Sequence, residues 1–221
     1  MDSNQSYQNI LVFDTETTGL IPKKETNIGK LPYITQLSFI VYDVKSQKIR
    51  SSFNTYIKIP SGILIPQIVT DITGITNEKC ENEGIQIETA LGIFYHAVML
   101  SDCIIGHNID FDIRMINIEI TRNLHSLQLF PDIKNIFNPL LQTDCTMKMT
   151  IGACALYRTT NNFTYKKFPK LSETYFHIFQ KEPENLHNSM VDTLVCLRCY
   201  LKIKFDIDIS DDRFMELVSY L

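Results

Sequence analysis

Two regimes of hydrophobic patterning divide this chain. In the first, apolar residues alternate with polar ones or run together over short stretches. QNILVF predicts a first strand over residues 8–13, and ITQLSFIVYDV (34–44) and IRSSFNTYIKI (49–59) predict two more, joined by a polar turn at 45–48. Such short connections suit an antiparallel meander. After Pro60 the pattern changes: Pro60, Gly62 and Pro66 break the strand, and TDITGIT (70–76) predicts a Gly-centred turn leading to a helix over 85–100. CIIGHN (103–108) predicts a short strand closed by Gly106. The residues after it, 110–124, predict a helix carrying apolar Phe111, Met115, Ile118 and Leu124. Residues 140–157 read as a strand plus a helix, and 170–180, 189–203 and the closing DDRFMELVSYL as further helices. No repeat or low-complexity segment interrupts this order.

Three antiparallel strands followed by alternating strands and helices imply an α/β fold, a mixed sheet with helices on both sides. Ligands of such sheets gather at strand ends, and acids stand there: Asp14 and Glu16 after the first strand, Asp112 at the start of the helix after the fourth. With 221 residues, 44% of them hydrophobic, one domain over 1–221 is expected. MDSNQSYQ lacks the basic flank and apolar core of a leader, and no apolar run approaches a bilayer's thickness, so a soluble intracellular protein is expected. The six cysteines read as reduced core residues. A net charge of −4 argues against a general coat for nucleic acid. Setting aside four acids as metal ligands, however, leaves 21 acidic against 21 basic residues, and bound divalent ions would reverse the local sign. The segments Ile21–Pro32 and Arg158–Pro169, each with a Lys-Lys pair, are expected to be mobile or substrate-facing insertions.

Asp14 and Glu16, at i and i+2 of an extended segment, point to one side and so to one cation. Hard oxygen ligands suit Mg²⁺ or Mn²⁺, and Mg²⁺ shares its shell readily with phosphates. Alone, the pair is weak evidence and more often a solvated strand end. Its setting is more specific. FDTETTGL resembles the first motif of the DEDD exonuclease superfamily, typified by the proofreading subunits of replicative DNA polymerases. GHNIDFDIRMI (106–116) resembles the second motif, HNSMVD (187–192) the third, and TGIT (73–76) the Gly-Ile-Thr turn found between the first two. The likeness runs in order over about 9–204. His187 lies five positions before Asp192, and Asn188 stands where the sister branch has Tyr, so the chain resembles the DEDDh branch.

That resemblance implies a ribonuclease-H-like fold and a two-metal 3′→5′ exonuclease. Asp14, Glu16 and Asp192 would hold one ion, with Asp14 bridging to a second that Asp112 supports, the pair being Mg²⁺ or Mn²⁺. His187 would take the proton of the attacking water, histidine being the side chain that exchanges protons near neutral pH. Thr17 with Glu16 would meet the 3′ end, Leu20 and side chains of the 72–76 turn such as Ile75 would wedge against the terminal base, and Asn108 would help to hold substrate. The expected partners are nucleic-acid 3′ ends, preferably single-stranded and DNA, with a separate polymerase as a further partner if the role is proofreading or DNA repair. An RNA-trimming enzyme uses the same motifs, and an inactive interaction module would be expected to have lost one of the acids.

Plainer readings apply to several of these residues. Ser189 and Asp192 also spell a capping box. Asn108 reads equally as a residue that only satisfies nearby backbone. His107 reads as structural, and His96, His125 and His177 lie in helical stretches without a motif partner. Cys196 and Cys199, i and i+3 in the last long helix, read as core rather than as a zinc or redox pair. Asp144 and Thr146 sit where relatives place an Asp-Thr pair, but Cys145 interrupts it.

Overall fold

The first strand does not stop at its apolar run. In the computed structural model, which describes residues 7–160, 163–183 and 186–220, β1 spans Asn9–Thr17 and carries both acids within it. Backbone pairing is indifferent to side-chain charge, and β1 pairs antiparallel with β2 (Ile34–Asp43) from Asn9 to Thr17, with a register shift after Glu16. β3 (Lys48–Tyr56) pairs antiparallel with β2, giving the expected meander. The leader reading of the first residues falls largely on positions 1–6, outside those described.

Past the meander, the breakers prove to be punctuation of a helix. Pro66 is the N-cap of α1 (Gln67–Thr73), and Gly74, at φ 70°, is its left-handed C-cap, where a residue without Cβ fits. The expected turn at 70–76 is thus mostly helix. It is followed by α2 (Asn77–Glu83), capped by the Thr76 hydroxyl, and by α3 (Ile87–Met99). β4 (Cys103–Gly106) runs parallel to β1 and leads into α4 (Ile109–Arg122). β5 (Gln142–Cys145) is parallel to β4 and passes directly into α5 (Thr146–Cys154).

Arg158–Pro169, expected to be a loop, mostly builds an antiparallel hairpin of β6 (Tyr157–Thr160) and β7 (Phe163–Lys166), separate from the main sheet. α6 (Leu171–Phe179), α7 (Ser189–Phe205) and α8 (Asp211–Tyr220) complete the chain. The main sheet has the order β3-β2-β1-β4-β5.

The sheet is mixed and covered on both faces, as the pattern implied. Leu11, Phe13, Leu37 and Phe39 pack with α3 and α4 on one side. Ile10, Val12, Ile40 and Tyr42 pack with α7 and with Tyr175 and Phe214 on the other. Even-numbered residues of β1 therefore look towards α7 and odd-numbered ones towards α4. Cys196 and Cys199 are buried within the α7 layer, as core. Among the described residues, no helix is long and apolar enough to cross a membrane.

The other proposed insertion is also less free than expected. Arg122, at the end of α4, donates to the carbonyls of Ile28, Leu31 and Pro32 at 2.6–2.9 Å. Its guanidinium lies over the Tyr33 ring and pairs with buried Glu119. The second half of Ile21–Pro32 is pinned by these contacts.

Candidate active site

The facing rule places three acids together. Asp14 and Glu16, even positions of β1, meet Asp192 from the first turns of α7, and one carboxylate oxygen from each lies within 4.8 Å of the others. α7 is held against this point by a polar seam. In the β1–β2 ladder Ser38 stands opposite Asp14, and Gln36 opposite Glu16. Ser189 donates its hydroxyl to Ser38 at 2.5 Å and its backbone N–H to Gln36 Oε1 at 3.4 Å, while Asn54 of β3 accepts from both Ser38 and Gln36. Sequence reasoning missed Gln36, Ser38 and Asn54. For Gln36 and Ser38, polar residues at successive even positions of a wholly buried strand were the available signal.

The expected capping box is not what forms. Asn188 is the N-cap of α7, its side chain accepting from Met190 N–H. Asp192 instead accepts from the backbone N–H of His187 at 3.1 Å through Oδ2. Its Oδ1 is buried without a partner, and among the described residues neither it nor Asp14, Glu16 or Asp112 forms an ion pair. Buried carboxylates left unpaired are costly, and a divalent cation with oxygen preference answers that cost. The donor set fits Mg²⁺ or Mn²⁺.

Asp112 approaches from the other face of the sheet. It is buried in α4, and its Oδ1 accepts from the Thr15 hydroxyl at 2.7 Å and the Thr15 N–H at 3.1 Å. Thr15 is the odd-facing residue between the two acids. The four-acid group is therefore three clustered carboxylates plus a fourth oriented by Thr15, with its Oδ2 uncommitted.

Electrostatics bind the four together. Burial, then repulsion from Asp112, Asp192 and Glu16, raises the Asp14 carboxyl well above the ordinary range. Burial, then repulsion from Asp192 and Asp112, pushes Glu16 up to about 8. Asp112 and Asp192 rise to about 7, chiefly through burial, against the lowering influence of their Thr15 and His187 hydrogen bonds. A carboxyl raised in this way stabilises the fold fully below its unfolded value and loses that contribution as pH climbs through the folded one. The half-buried His107, whose own value is lowered to about 4, adds stability as pH rises towards its ordinary 6.5 and only slightly beyond, so it offsets little of this loss. In EDTA, melting temperature is thus expected to fall between about pH 6.5 and 8, with Mg²⁺ or Mn²⁺ restoring more at pH 8 than at 6.5. Melting curves across that range check this, and a flat curve in EDTA refutes it.

The remaining expected site residues are distributed as follows. His187 is exposed and lies in the left-handed region at φ 72°, its main chain tied to Asp192. Thr17 is buried, its hydroxyl donating to the Gly19 carbonyl at 2.8 Å, so it shapes the turn and leaves only its backbone for substrate. Leu20 is 85% exposed. Ile75 is 1% exposed, packed with Ile65 and Cys80, so it cannot meet a base here. Ile72 and Ile68, 53% and 69% exposed, are apolar side chains that α1 offers instead. Asn108 is exposed at φ 65° with no side-chain cap bond, so the backbone-satisfying alternative finds no such bond.

His107 is structural. Its Nε2 must donate to the Pro169 carbonyl (3.0 Å), which leaves Nδ1 to accept from the Thr146 hydroxyl (2.9 Å). Asp144 is engaged by the Tyr200 hydroxyl at 2.8 Å and by Lys204.

Comparison with known proteins gives the following. The family model described as "RNase_T: Exonuclease" matches residues 11–200. No curated protein sequence matches. Among solved structures, E. coli Exonuclease I in complex with a dA16 oligonucleotide is similar at TM-score 0.61 and 17% identity, over 96% of this chain and 43% of that one. The zinc-ion-bound form of an E. coli ExoI–ssDNA complex gives 0.65 and 20%, over 96% and 42%. A moderately thermophilic Exonuclease I from Methylocaldum szegediense gives 0.63 and 14%, over 96% and 43%. At these identities the likeness is one of fold, and the present chain spans less than half the length of those proteins.

Proposed function

Since the chain belongs to the RNase_T exonuclease family, we propose that it is a divalent-metal-dependent 3′→5′ exonuclease acting on single-stranded or frayed nucleic acid, DNA in the first instance. In this reading residues 1–221 are one exonuclease domain, with the motif-bearing core over about 9–204. The observation that carries it is the meeting of Asp14, Glu16 and Asp192 around a point where Asp192 Oδ1 is buried and unpartnered. Asp14, Glu16 and Asp192 would hold one of two Mg²⁺ or Mn²⁺ ions. Asp112, aimed by Thr15, would assist at the second. When bound, these ions supply an acidified water and offset the charge developing on the leaving oxygen.

The rest falls to the chain's own groups. His187 accepts the proton as water oxygen bonds to phosphorus, and the 3′ oxygen of the penultimate nucleotide departs. Each cycle frees one nucleoside 5′-monophosphate and leaves a new 3′ hydroxyl. The backbone at Thr17, with Glu16, receives the terminal 3′ hydroxyl. Leu20 stacks on the terminal base without reading its edge, so sequence is tolerated. The narrower role of polymerase proofreading subunit is not part of this proposal, because the family is broader than that role.

Single-stranded DNA and RNA carrying a 3′-terminal label, each with Mg²⁺, Mn²⁺ or EDTA, test the reading. Release of labelled mononucleotide from DNA with metal, and none in EDTA, is expected. Release from RNA alone moves the substrate to RNA trimming, and inertness on both overturns the assignment.

A further inference from the structure

The β6–β7 hairpin has no role in the cage of acids and carries its own composition. From Cys145 to Ser172 the chain has five basic residues and no acid, within a protein of net charge −4. In the hairpin's register Arg158 stands opposite Tyr165, and Thr160 opposite Phe163, so these four share one face. The rings of Phe163 and Tyr165 are stacked on that face with centroids 6.3 Å apart. The other face sets Tyr157 opposite Lys166. Every residue of both strands is exposed, Phe163 by 68% and Tyr157 by 61%. Among the described residues, Arg158 and Lys166 have no acidic partner, whereas Lys148 and Lys167 are paired with Asp110 and Glu173.

A two-stranded ribbon with neither face covered is marginal by itself. This one is anchored at its base, where Lys167 N–H donates to the Leu156 carbonyl at 3.0 Å. It is also tethered to the catalytic segment: Pro169, just beyond it, accepts from His107, the residue before Asn108 and the helix that carries Asp112. Flat aromatic faces offer stacking that any base satisfies, and unpaired cations beside them suit a phosphate backbone. An acidic or apolar protein surface would explain the rings or the charge, but not their interleaving on both faces.

We propose that this hairpin is a second nucleic-acid contact, a platform that binds the single strand upstream of the end being cut, bases on Phe163 and Tyr165 and phosphates on Arg158 and Lys166. It rests on the exonuclease reading only for the direction of the strand, not for the binding itself.

Fluorescence anisotropy of a labelled single-stranded oligonucleotide in EDTA, where no hydrolysis competes, tests it with DNA and RNA arms. Phe163→Ala/Tyr165→Ala and Arg158→Ala/Lys166→Ala are each expected to weaken binding about tenfold or more. The second pair should also flatten the slope of log affinity against log salt by about 1.4. Melting temperature should stay unchanged, since all four side chains are exposed. On long substrates KM should rise with kcat preserved. Affinity and salt slope unchanged in both variants, or no binding by the parent, overturns the platform. A parent that binds, and loses binding in the variants, but releases no nucleotide with metal, overturns the exonuclease reading and leaves the platform standing.

Discussion

Asp14→Asn is expected to reduce nucleotide release by on the order of 10³-fold or more while raising the melting temperature measured in EDTA at pH 8. Both effects come from one charge. Asp14 sits in a central strand, paired on the β2 side through Ser38, so an amide of the same shape leaves the ladder intact. What disappears is a desolvated carboxylate pressed against Asp112, Asp192 and Glu16. Without metal, that removes a repulsion and stabilises the fold. With metal, it would remove one of the three clustered carboxylates that the proposed function assigns to metal binding. Mg²⁺ should therefore raise the melting temperature of the parent and shift that of the variant far less. Loss of activity together with a lowered melting temperature in EDTA would instead mean that Asp14 is needed for folding, which the burial argument forbids.

His187→Ala is expected to cost on the order of a hundredfold in kcat, with the metal-induced rise in melting temperature retained. His187 is exposed, and its contact with Asp192 is made by the main chain. Truncating the ring should therefore leave that hydrogen bond and the acid cluster in place. The rate lost should be recovered in part by raising pH, where hydroxide replaces the missing base. Unchanged turnover refutes the general-base role, and loss of the metal response would make His187 a structural support of Asp192 instead.

Much of this site was legible before any coordinates. Asp14 and Glu16 share a face because a strand has period two, and Asp192 follows His187 at a telling spacing. What the pattern hid was the role of neighbours. The resemblance sets Asp112 apart as support for a second ion, but nothing in its own segment shows that Thr15, on the opposite face of β1, takes one of its oxygens. Ile75, which the resemblance implies as a wedge on an open turn, is folded inward because Pro66 and Gly74 cap a short helix there. The hairpin is hidden because each strand is only four residues long and exposed throughout, with alternation confined to Phe163 and Tyr165 of β7. Strand pairing there rests on backbone groups, to which hydropathy is blind.

The seam through Ser38 and Ser189 has a temporal meaning as well. Its two hydroxyls are 151 residues apart in sequence, so the contact that seats α7 beside β1 is among the longest loops the chain must close. During synthesis from the N-terminus, β1 and β2 emerge with Asp14 and Glu16 long before residue 192 exists. A ribosome-bound fragment of this chain would hold its first two acids with nothing to complete their metal site. On the proposed function, hydrolytic competence would then arrive only when the last long helix docks.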